Sequence, residues 1–474
     1  MEKQKEAKKI FWYTLAFMAF STVWSMGNII NGYSVYGGLK AIISWILIFS
    51  IYFIPYSLMV GELGSTFKSA GGGVSSWIDG TIGKKIAYYA GWTYWVVHMP
   101  YISQKPSRIL ISFSWIIFQD GRISKLDMHI LTIASLAIFL IILYLSTRGV
   151  NFVKRVATIA GSSMFIMSIL YIFMAISAPY ITGAKVLSTN WSWSTFLPTF
   201  DVKFFTSLSI LVFAVGGCEK ISPYVNKMKN PSKDFPLGMI SLVVMVCFTA
   251  IIGTFALSLM FDTNNIPKDL MTNGAYYAFL KLGEYYGLGN FFMIVYAIVD
   301  FAGQISVMVL SIDAPLRILL ESTTDDFIPK GLFKKNKWGA YINGQILIGI
   351  IVSILIIIPI FGIKQVDDLV RWLVKLNSVC MPLRYLWVFV AYFALKKHMD
   401  KFDAEYMLTK NKAFGMFLGA WCFAFTAFAC ILGMYSQGSM FQTVLNIVTP
   451  IVLVVLGLIM PALAKRQKMK VIQA

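Results

Sequence analysis

Long apolar stretches recur along nearly the whole 474-residue chain and are separated by shorter polar segments. A helix needs about 20 apolar residues to cross the hydrocarbon core of a bilayer, and 12 stretches of this kind are present. The pattern therefore predicts an all-α polytopic membrane protein with 12 transmembrane helices. The predicted spans cover residues 10–36, 38–62, 86–118, 127–146, 152–179, 201–228, 237–261, 287–319, 341–361, 366–395, 414–436 and 441–463.

Two of these spans are interrupted by glycine and polar residues. In the sixth span an apolar run gives way at Gly216 and Gly217 to a polar, basic segment that ends at Pro231. A similar weak point lies in the first span, at residues 24–28. Unpaired backbone groups cost several kcal/mol in hydrocarbon, so a broken helix at membrane depth is tolerated where it lines a cavity. Two interrupted helices in corresponding positions of two halves indicate the substrate site of a transporter.

The two interruptions predict a site for the backbone of an α-amino acid. The N-terminus of a half-helix carries about half a positive charge and free N–H groups, which suit a carboxylate. Exposed carbonyl groups at the opposing helix ends suit an ammonium group. The alternative is that the glycines serve close helix packing. The predicted substrate-binding residues at the two interruptions are Trp24, Ser25, Met26, Gly27, Asn28, Phe213, Ala214, Gly216 and Gly217.

Composition and charge agree with a membrane protein and predict its orientation. Hydrophobic residues make up 58% of the chain and charged residues only 13%, about half the charged share of a soluble protein. The formal net charge is +19, and 28 of the 41 Lys and Arg residues fall on the side of the two termini, against 8 in the opposite loops. The positive-inside rule then predicts cytoplasmic termini in the cell membrane. The basic excess is a topology signal and does not indicate nucleic-acid binding.

The sequence lacks the patterns of an enzyme. It shows no metal-ligand cluster, no P-loop and no nucleophile elbow, and its three histidines leave little acid–base chemistry. The five cysteines fall within predicted spans, without the spacing of a zinc site or a redox pair. No cofactor is expected, and the lack of a P-loop argues against ATP as a driving force.

Three connections between spans stand out. A glycine-rich segment at residues 61–77 follows the second span on the cytoplasmic side, and another loop at residues 325–339 follows the eighth. The longest external connection covers residues 262–289. Its pattern predicts a short surface helix around residues 275–282.

Several sequence blocks resemble those of a known family, the amino acid–polyamine–organocation permeases, over about residues 10–463. Within this superfamily the chain is most similar to the glutamate:γ-aminobutyrate antiporters and their Gram-positive amine-exchanging relatives. The blocks are Gly61-Glu62-Leu63, Phe67, Gly71-Gly72, Trp77 and Gly91-Trp92, then Phe213 to Glu219 with Lys229-Asn230-Pro231, and the loop from Asp326 to Gly339.

The resemblance implies a leucine-transporter-like fold in a single transporter domain, residues 1–474. Residues 10–179 and 201–395 would form two inverted repeats of five spans each, with two additional helices at 414–463. The chain departs from the family at Ser25 to Asn28, which lack the fuller glycine run. It also departs at Met164, where some proton-coupled relatives place a lysine, and this difference favours an exchanger.

Phe213 and Glu219 flank the second interruption. The resemblance implies that an aromatic residue at position 213 covers the substrate on its extracellular side, and the alternative is a core phenylalanine. A carboxylate embedded in a membrane, such as Glu219, is a functional hypothesis by default. In related exchangers the matching glutamate is linked to pH response, so Glu219 is a candidate for proton coupling. The alternative is a hydrogen bond that ties the unwound segment to its neighbours.

Asp300 and Gln304 lie one turn apart in the eighth span and project from one helix face. A carboxylate at that depth costs about 2.5–3.5 kcal/mol unless it faces a partner or water. Asp300 is predicted either to bind an amine-bearing substrate or to form a fixed ion pair, and Gln304 is predicted to share the substrate face. The candidate ion-pair partners are Lys105, Arg108 and Lys375.

Other polar residues occur within the third and tenth spans. Lys105 and Arg108 are expected to pair with carboxylates or to extend outward rather than to contact substrate. His98 either titrates near neutral pH or packs as a satisfied histidine, and the second reading is favoured. Asn377 lies near the depth of the interruptions and is a further candidate for substrate binding.

These observations predict a secondary amino-acid transporter, an antiporter that exchanges an external amino acid for an internal amino acid or a decarboxylated amine. The alternative is a proton-coupled amino-acid or polyamine symporter. The expected partners are amino-acid and amine substrates and the lipid bilayer, and the oligomeric state is open, a homodimer included. Five aromatic residues near the interruptions suit a large side chain and suggest tyrosine/tyramine exchange: Trp24, Tyr33, Tyr94, Trp95 and Phe213.

Overall fold

The computed structural model describes residues 10–187, 191–262, 267, 269–361, 365–436 and 440–473. Most of this chain is helical, and the predicted all-α polytopic class is confirmed. The basic residues at positions 3, 5, 8 and 9, together with Lys268 and Lys364, lie outside the described residues, as does part of the predicted connection 262–289.

The first half of the described chain contains two spans that are divided into shorter helices. Two extended residues separate α1 from α2, and a single residue, Val97, separates α6 from α7. A π-helical turn, Phe49–Phe53, joins α3 to α4 without a break. The helices are α1 Trp12–Val23, α2 Met26–Tyr36, α3 Lys40–Ile48, α4 Ile54–Thr66, α5 Val74–Thr81, α6 Lys84–Val96, α7 His98–Ile117, α8 Met128–Ser146 and α9 Val150–Ile181.

The second half repeats this mixture of continuous and divided spans. A tight 3-10 segment, Cys218–Lys227, follows α11 after two glycines. The helices are α10 Trp193–Phe196, α11 Val202–Val215, α12 Pro231–Met260, α13 Leu270–Tyr285, α14 Phe291–Leu320, α15 Ile342–Ile357, α16 Val366–Cys380, α17 Leu383–Lys397, α18 Lys412–Met434, α19 Met440–Val455 and α20 Ile459–Gln473.

Ten helical segments of the described chain are long and apolar enough to cross a membrane. The first and third predicted spans are not among them. The first is divided into helices of 12 and 11 residues, each shorter than the hydrocarbon core is thick. The third carries Gln104, Lys105 and Arg108 in its middle. Residues of both spans line the cavity described below.

Two local predictions were wrong in part. The segment 61–77 is not simply a loop, because α4 continues to Thr66 and α5 begins at Val74. The helix predicted around residues 275–282 is present within α13, but α13 is 16 residues long and mostly buried rather than on the surface. The tenth span is one helical segment, as predicted, because Met381 and Pro382 keep right-handed helical backbones between α16 and α17.

Close helix packing holds the first broken span at the centre of the bundle. α1 packs against α9 and α12. A Cβ atom at Gly161 in α9 would lie 2.0 Å from the carbonyl oxygen of Phe17, so only glycine permits this approach. Gly161 thus serves the close packing of α9 against α1. The division into two inverted repeats, 10–179 and 201–395, and two further helices, 414–463, stays a prediction.

Candidate substrate site between two broken helices

The first break consists of Trp24 and Ser25, which have extended backbones between α1 and α2. The predicted interruption is therefore confirmed but shorter, since residues 26–28 already form the first turn of α2. Ser25 provides no side-chain cap, and the N–H of Asn28 bonds the Ser25 carbonyl. The amides of Met26 and Gly27 thus belong to the exposed end of a helix, which attracts negative charge.

The second break consists of Gly216 and Gly217, between α11 and the 3-10 segment. A Cβ atom at Gly216 would lie 2.1 Å from the ring of Tyr385 in α17, so the backbone passes directly against that ring. Gly217 has φ of +112°, a conformation that L side chains rarely adopt. The adjacent glycines therefore serve a close approach at one position and a left-handed backbone at the other.

Side chains of the first broken span join the two breaks directly. The Asn28 amide nitrogen donates to the carbonyl of Val23, at 2.9 Å, and to the carbonyl of Ala214, at 3.2 Å. The Thr22 hydroxyl lies 3.5 Å from the carbonyl oxygen of Gly217. Freed carbonyl groups of both spans are thus satisfied across the junction, as a break at membrane depth requires.

A cavity of about 130 Å³, called here the central cavity, lies between these breaks. One buried water needs roughly 10–15 Å³ on the same measure, so the cavity has room for a small polar ligand. Residues of α7, α9, α13, α14 and α16 complete its wall. The predicted site residues that line it are Trp24, Ser25, Gly27, Asn28, Phe213, Asp300 and Gln304.

Five of the predicted substrate-binding residues lie outside this lining, namely Met26, Ala214, Gly216, Gly217 and Asn377. Four of them belong to the helix ends around the breaks and shape the backbone there. Asn377 is fully buried in α16, and its amide nitrogen donates to the Gln104 side chain at 3.1 Å. Gln104 lines the cavity, so Asn377 is in the second layer of the site and holds the side chain of Gln104.

Two cations that sequence reasoning set aside line the central cavity, Lys105 and Arg108 of α7. The Lys105 ammonium donates to the Gln304 carbonyl oxygen at 3.2 Å and lies 4.5 Å from the centre of the Tyr101 ring. The Arg108 guanidinium donates to the Met271 carbonyl of α13 at 3.2 Å. The expectation that they extend outward was wrong. Their three-residue spacing, which places both on one helix face, was the signal available in the sequence.

Asp300 is anchored by neutral hydrogen-bond donors. One carboxylate oxygen accepts from the hydroxyls of Ser112, at 2.6 Å, and Tyr276, at 2.7 Å, and the other accepts from the Gln304 amide at 3.0 Å. Lys105 is connected to Asp300 through Gln304, and Lys375 bonds Ser436 elsewhere. Gln304 therefore bridges the Lys105 ammonium and the Asp300 carboxylate by hydrogen bonds on the cavity wall.

Glu219 lies outside the cavity lining, completely buried among donors and one cation. The hydroxyls of Tyr56 and Tyr94 both donate to its carboxylate, the second at 2.7 Å. The Arg384 Nε lies 3.2 Å from a carboxylate oxygen. Arg384 also contacts His98, whose other ring nitrogen lies 2.7 Å from the Tyr94 carbonyl. This geometry favours the structural alternative for Glu219 and confirms His98 as a satisfied packing residue.

The aromatic residues near the breaks do not form one binding surface. Only Trp24 and Phe213 of the five line the cavity. The Tyr33 hydroxyl donates to the Phe261 carbonyl, and the Tyr94 hydroxyl donates to Glu219. Trp95 is buried against Trp92. The aromatic count therefore does not indicate the size of the substrate.

The cavity wall carries more positive than negative charge. The residues that line it include two cations, Lys105 and Arg108, and one carboxylate, Asp300. Charges at membrane depth are expensive and mark functional sites. The site thus combines the amide end of α2, which suits a carboxylate, with a formal excess of one positive charge.

A bundle of membrane-spanning helices with a polar cavity between two broken helices defines a membrane transporter. The profile of the amino acid permease family matches residues 10–461. The chain belongs to this family, within the amino acid–polyamine–organocation superfamily, and is a multi-pass membrane permease and not an enzyme.

The chain is 49% identical to the aspartate/glutamate permease AcaP of Lactococcus lactis subsp. cremoris, over 98% of this chain and 97% of that protein. It is 24% identical to the glutamate/gamma-aminobutyrate antiporter of Lactococcus lactis subsp. lactis, over 73% and 68% of the two chains. It is 21% identical to the inner membrane transporter YjeM of Salmonella typhimurium, over 86% and 85%. The resemblance drawn from the sequence is confirmed, whereas tyrosine/tyramine exchange receives no support.

Proposed function

We propose that this permease carries an acidic amino acid, aspartate or glutamate, and binds it in the central cavity. The observation that carries the proposal is the charge of the wall, where Lys105 and Arg108 face a single carboxylate, Asp300. An acidic amino acid has one formal negative charge at neutral pH, which matches the formal excess of one positive charge. The printed function of the 49% identical relative supports the same substrate class.

The substrate backbone is proposed to bind at the first break. Its α-carboxylate accepts from the uncapped end of α2, at the amide of Gly27. Its ammonium group lies toward the last carbonyls of α1, where Ser21 and Thr22 line the cavity. Its side-chain carboxylate then points toward Lys105 and Arg108.

Phe213 covers this site on the side of α11. Its ring lies 6.0 Å from that of Tyr101, edge to face, and both residues line the cavity. Such a pair separates the bound substrate from one end of the bundle when the rings are in contact. The predicted gating role of Phe213 stays part of the proposal.

The mode of transport is proposed to be exchange, in which an internal amino acid or its decarboxylated amine leaves as the acidic amino acid enters. The printed names of relatives such as the glutamate/gamma-aminobutyrate antiporter support exchange. Met164, rather than a lysine, lines the cavity in α9. Proton symport is the alternative mode, and the substrate assignment is independent of this choice.

Counterflow in proteoliposomes tests both parts. Vesicles loaded with unlabelled glutamate are expected to accumulate labelled aspartate and glutamate, whereas tyrosine, tyramine and putrescine fail to compete. Exchange predicts that uptake needs substrate inside and persists with a protonophore. Uptake into empty vesicles that collapses with a protonophore would support symport instead. Efficient competition by tyrosine or putrescine, but not aspartate, would overturn the substrate assignment.

A further inference from the structure

A second polar pocket, called here the outer pocket, lies between α2, α11, α16 and the end of α18. It has a volume of about 290 Å³ and does not share a lining residue with the central cavity. Two lysines line it, Lys203 of α11 and Lys375 of α16. Hydroxyl groups that face it include those of Ser34, Thr206, Ser378 and Tyr435.

The two lysines give the outer pocket a positive charge. Its lining residues, as far as the structure describes them, include no carboxylate. In the described chain neither Lys203 nor Lys375 takes part in an ion pair. The Lys375 ammonium donates to a neutral acceptor, the Ser436 hydroxyl, at 2.5 Å. Lys203 is exposed, whereas Lys375 is half-buried. A half-buried charge without a counter-charge carries a desolvation cost, and an anion bound between the two lysines would lower that cost for Lys375.

The hydroxyls of Ser34 and Tyr435 add donors for an oxyanion to the two lysines, whereas those of Ser378 and Thr206 already donate to the carbonyls of Lys375 and Lys203. The Ser209 and Ser378 hydroxyl oxygens lie 3.2 Å apart and join α11 to α16 at the pocket wall. Lysine and serine donors around one small volume are the groups that bind carboxylates by charge-assisted hydrogen bonds. The pocket is too polar to serve the apolar part of a lipid.

Three helices, α2, α11 and α16, line both cavities with different residues. In α16, Val374 faces the central cavity and Lys375 the outer pocket. In α11, Phe213 lines the first, and Ser209, one turn earlier, lines the second. A ligand in the outer pocket therefore touches helices that also enclose the substrate.

We infer that the outer pocket is a second anion site, which binds the carboxylate of an acidic amino acid at the end of α11 remote from the break. The identity of the anion rests on the proposed function, whereas the existence of an anion site rests on Lys203, Lys375 and the surrounding hydroxyls. Chloride shares the charge, so the experiment includes it as a separate arm.

Equilibrium binding of labelled aspartate to the purified full-length permease gives the first test. The wild type is expected to bind two molecules per chain, and the double variant Lys203→Gln/Lys375→Gln only one. Lys40→Gln is the matched control, because Lys40 is a lysine near the same end of α2 that bonds Thr199 at 3.3 Å, outside the outer pocket. One site in the wild type, unchanged in the double variant, would overturn the inference and leave the proposed function standing.

Amine labelling of the unmodified protein keeps the test independent of any variant that fails to fold. A water-soluble acylating reagent is applied with and without aspartate, and peptide mass spectrometry follows each lysine. Aspartate is expected to slow labelling of Lys203 and Lys375 but not of Lys40. Protection by chloride alone would overturn the assignment to a carboxylate. Absence of any aspartate binding, in the cavity or the pocket, would instead reject the proposed function.

Discussion

At the scale of single residues, the central cavity is organised by a line of hydrogen bonds from Lys105 through Gln304 to Asp300. The amide of Gln304 offers its oxygen to the cation and its nitrogen to the carboxylate, so both charges hold one rotamer of the glutamine. The carboxylate in turn is fixed by Tyr276 and Ser112. Lys105 is therefore presented to the cavity by a preorganised wall.

The first prediction concerns Lys105→Gln. If Lys105 pairs with the side-chain carboxylate of the substrate, its loss removes a charged hydrogen bond of about 1.5–3 kcal/mol, so aspartate affinity should fall roughly 10- to 100-fold. Isotope binding or counterflow KM measures this change. Lys40→Gln serves as the control for a lost lysine. An equal loss for a neutral amino acid such as asparagine would show that Lys105 only supports the fold.

The second prediction concerns Asp300→Asn. An asparagine amide that faces the hydroxyls of Ser112 and Tyr276 places donor against donor, and an unsatisfied buried group costs about 1–3 kcal/mol. The variant is expected to show a lower melting temperature and weaker binding of every substrate by a similar factor. Loss confined to cationic amines, with unchanged thermal stability, would instead make Asp300 the partner of a substrate ammonium group.

At the scale of elements, a buried ion pair joins the second break to the tenth span. Glu219 follows the glycines after α11, and Arg384 lies in the first turn of α17. Tyr56 of α4 and Tyr94 of α6 donate to the same carboxylate. The unwound segment after α11 is thus tied to three neighbouring helices.

The third prediction concerns Glu219→Gln. Removing one partner of a buried pair costs about 3–5 kcal/mol, so the melting temperature should fall, and Arg384→Gln added in the same chain should cost less than the sum of the two single changes. The pH dependence of the remaining transport should be unchanged. Glu405→Gln, which alters an exposed carboxylate paired with Lys68, is the control. A flattened pH profile in Glu219→Gln would restore the proton-coupling hypothesis.

A structural element was predicted correctly from the sequence where the residues that determine it are neighbours in the chain. The second break was predictable from the sequence, because a membrane-spanning apolar helix does not tolerate two adjacent glycines, Gly216 and Gly217, followed by a polar segment. The tenth span was predicted as one helical segment and is one, despite Pro382. The burial of α13 could not be predicted, since it depends on which neighbouring helices cover it. The shared helix face of Lys105 and Arg108 was readable from their spacing, but which neighbours that face meets was not.

At the scale of the whole molecule, the predicted 12 spans are an even number of crossings, which would place the two ends of the chain on one side of the membrane. The fourth prediction is that this side is cytoplasmic, because 28 of the 41 Lys and Arg residues lie there. A reporter that is active only outside the cytoplasm should stay silent when fused to the C-terminus. The same reporter inserted after Arg122 should be active. The reverse pattern would contradict the orientation.

The helix α13 bears on how such permeases diversify. It belongs to a connection between spans, and connections change faster among relatives than the elements they join. Yet α13 supplies Met271, Thr272, Ala275 and Tyr276 to the wall of the central cavity, where we propose that the substrate binds. A lineage can therefore acquire a new nutrient by revising one short segment while its bilayer-embedded scaffold is inherited intact.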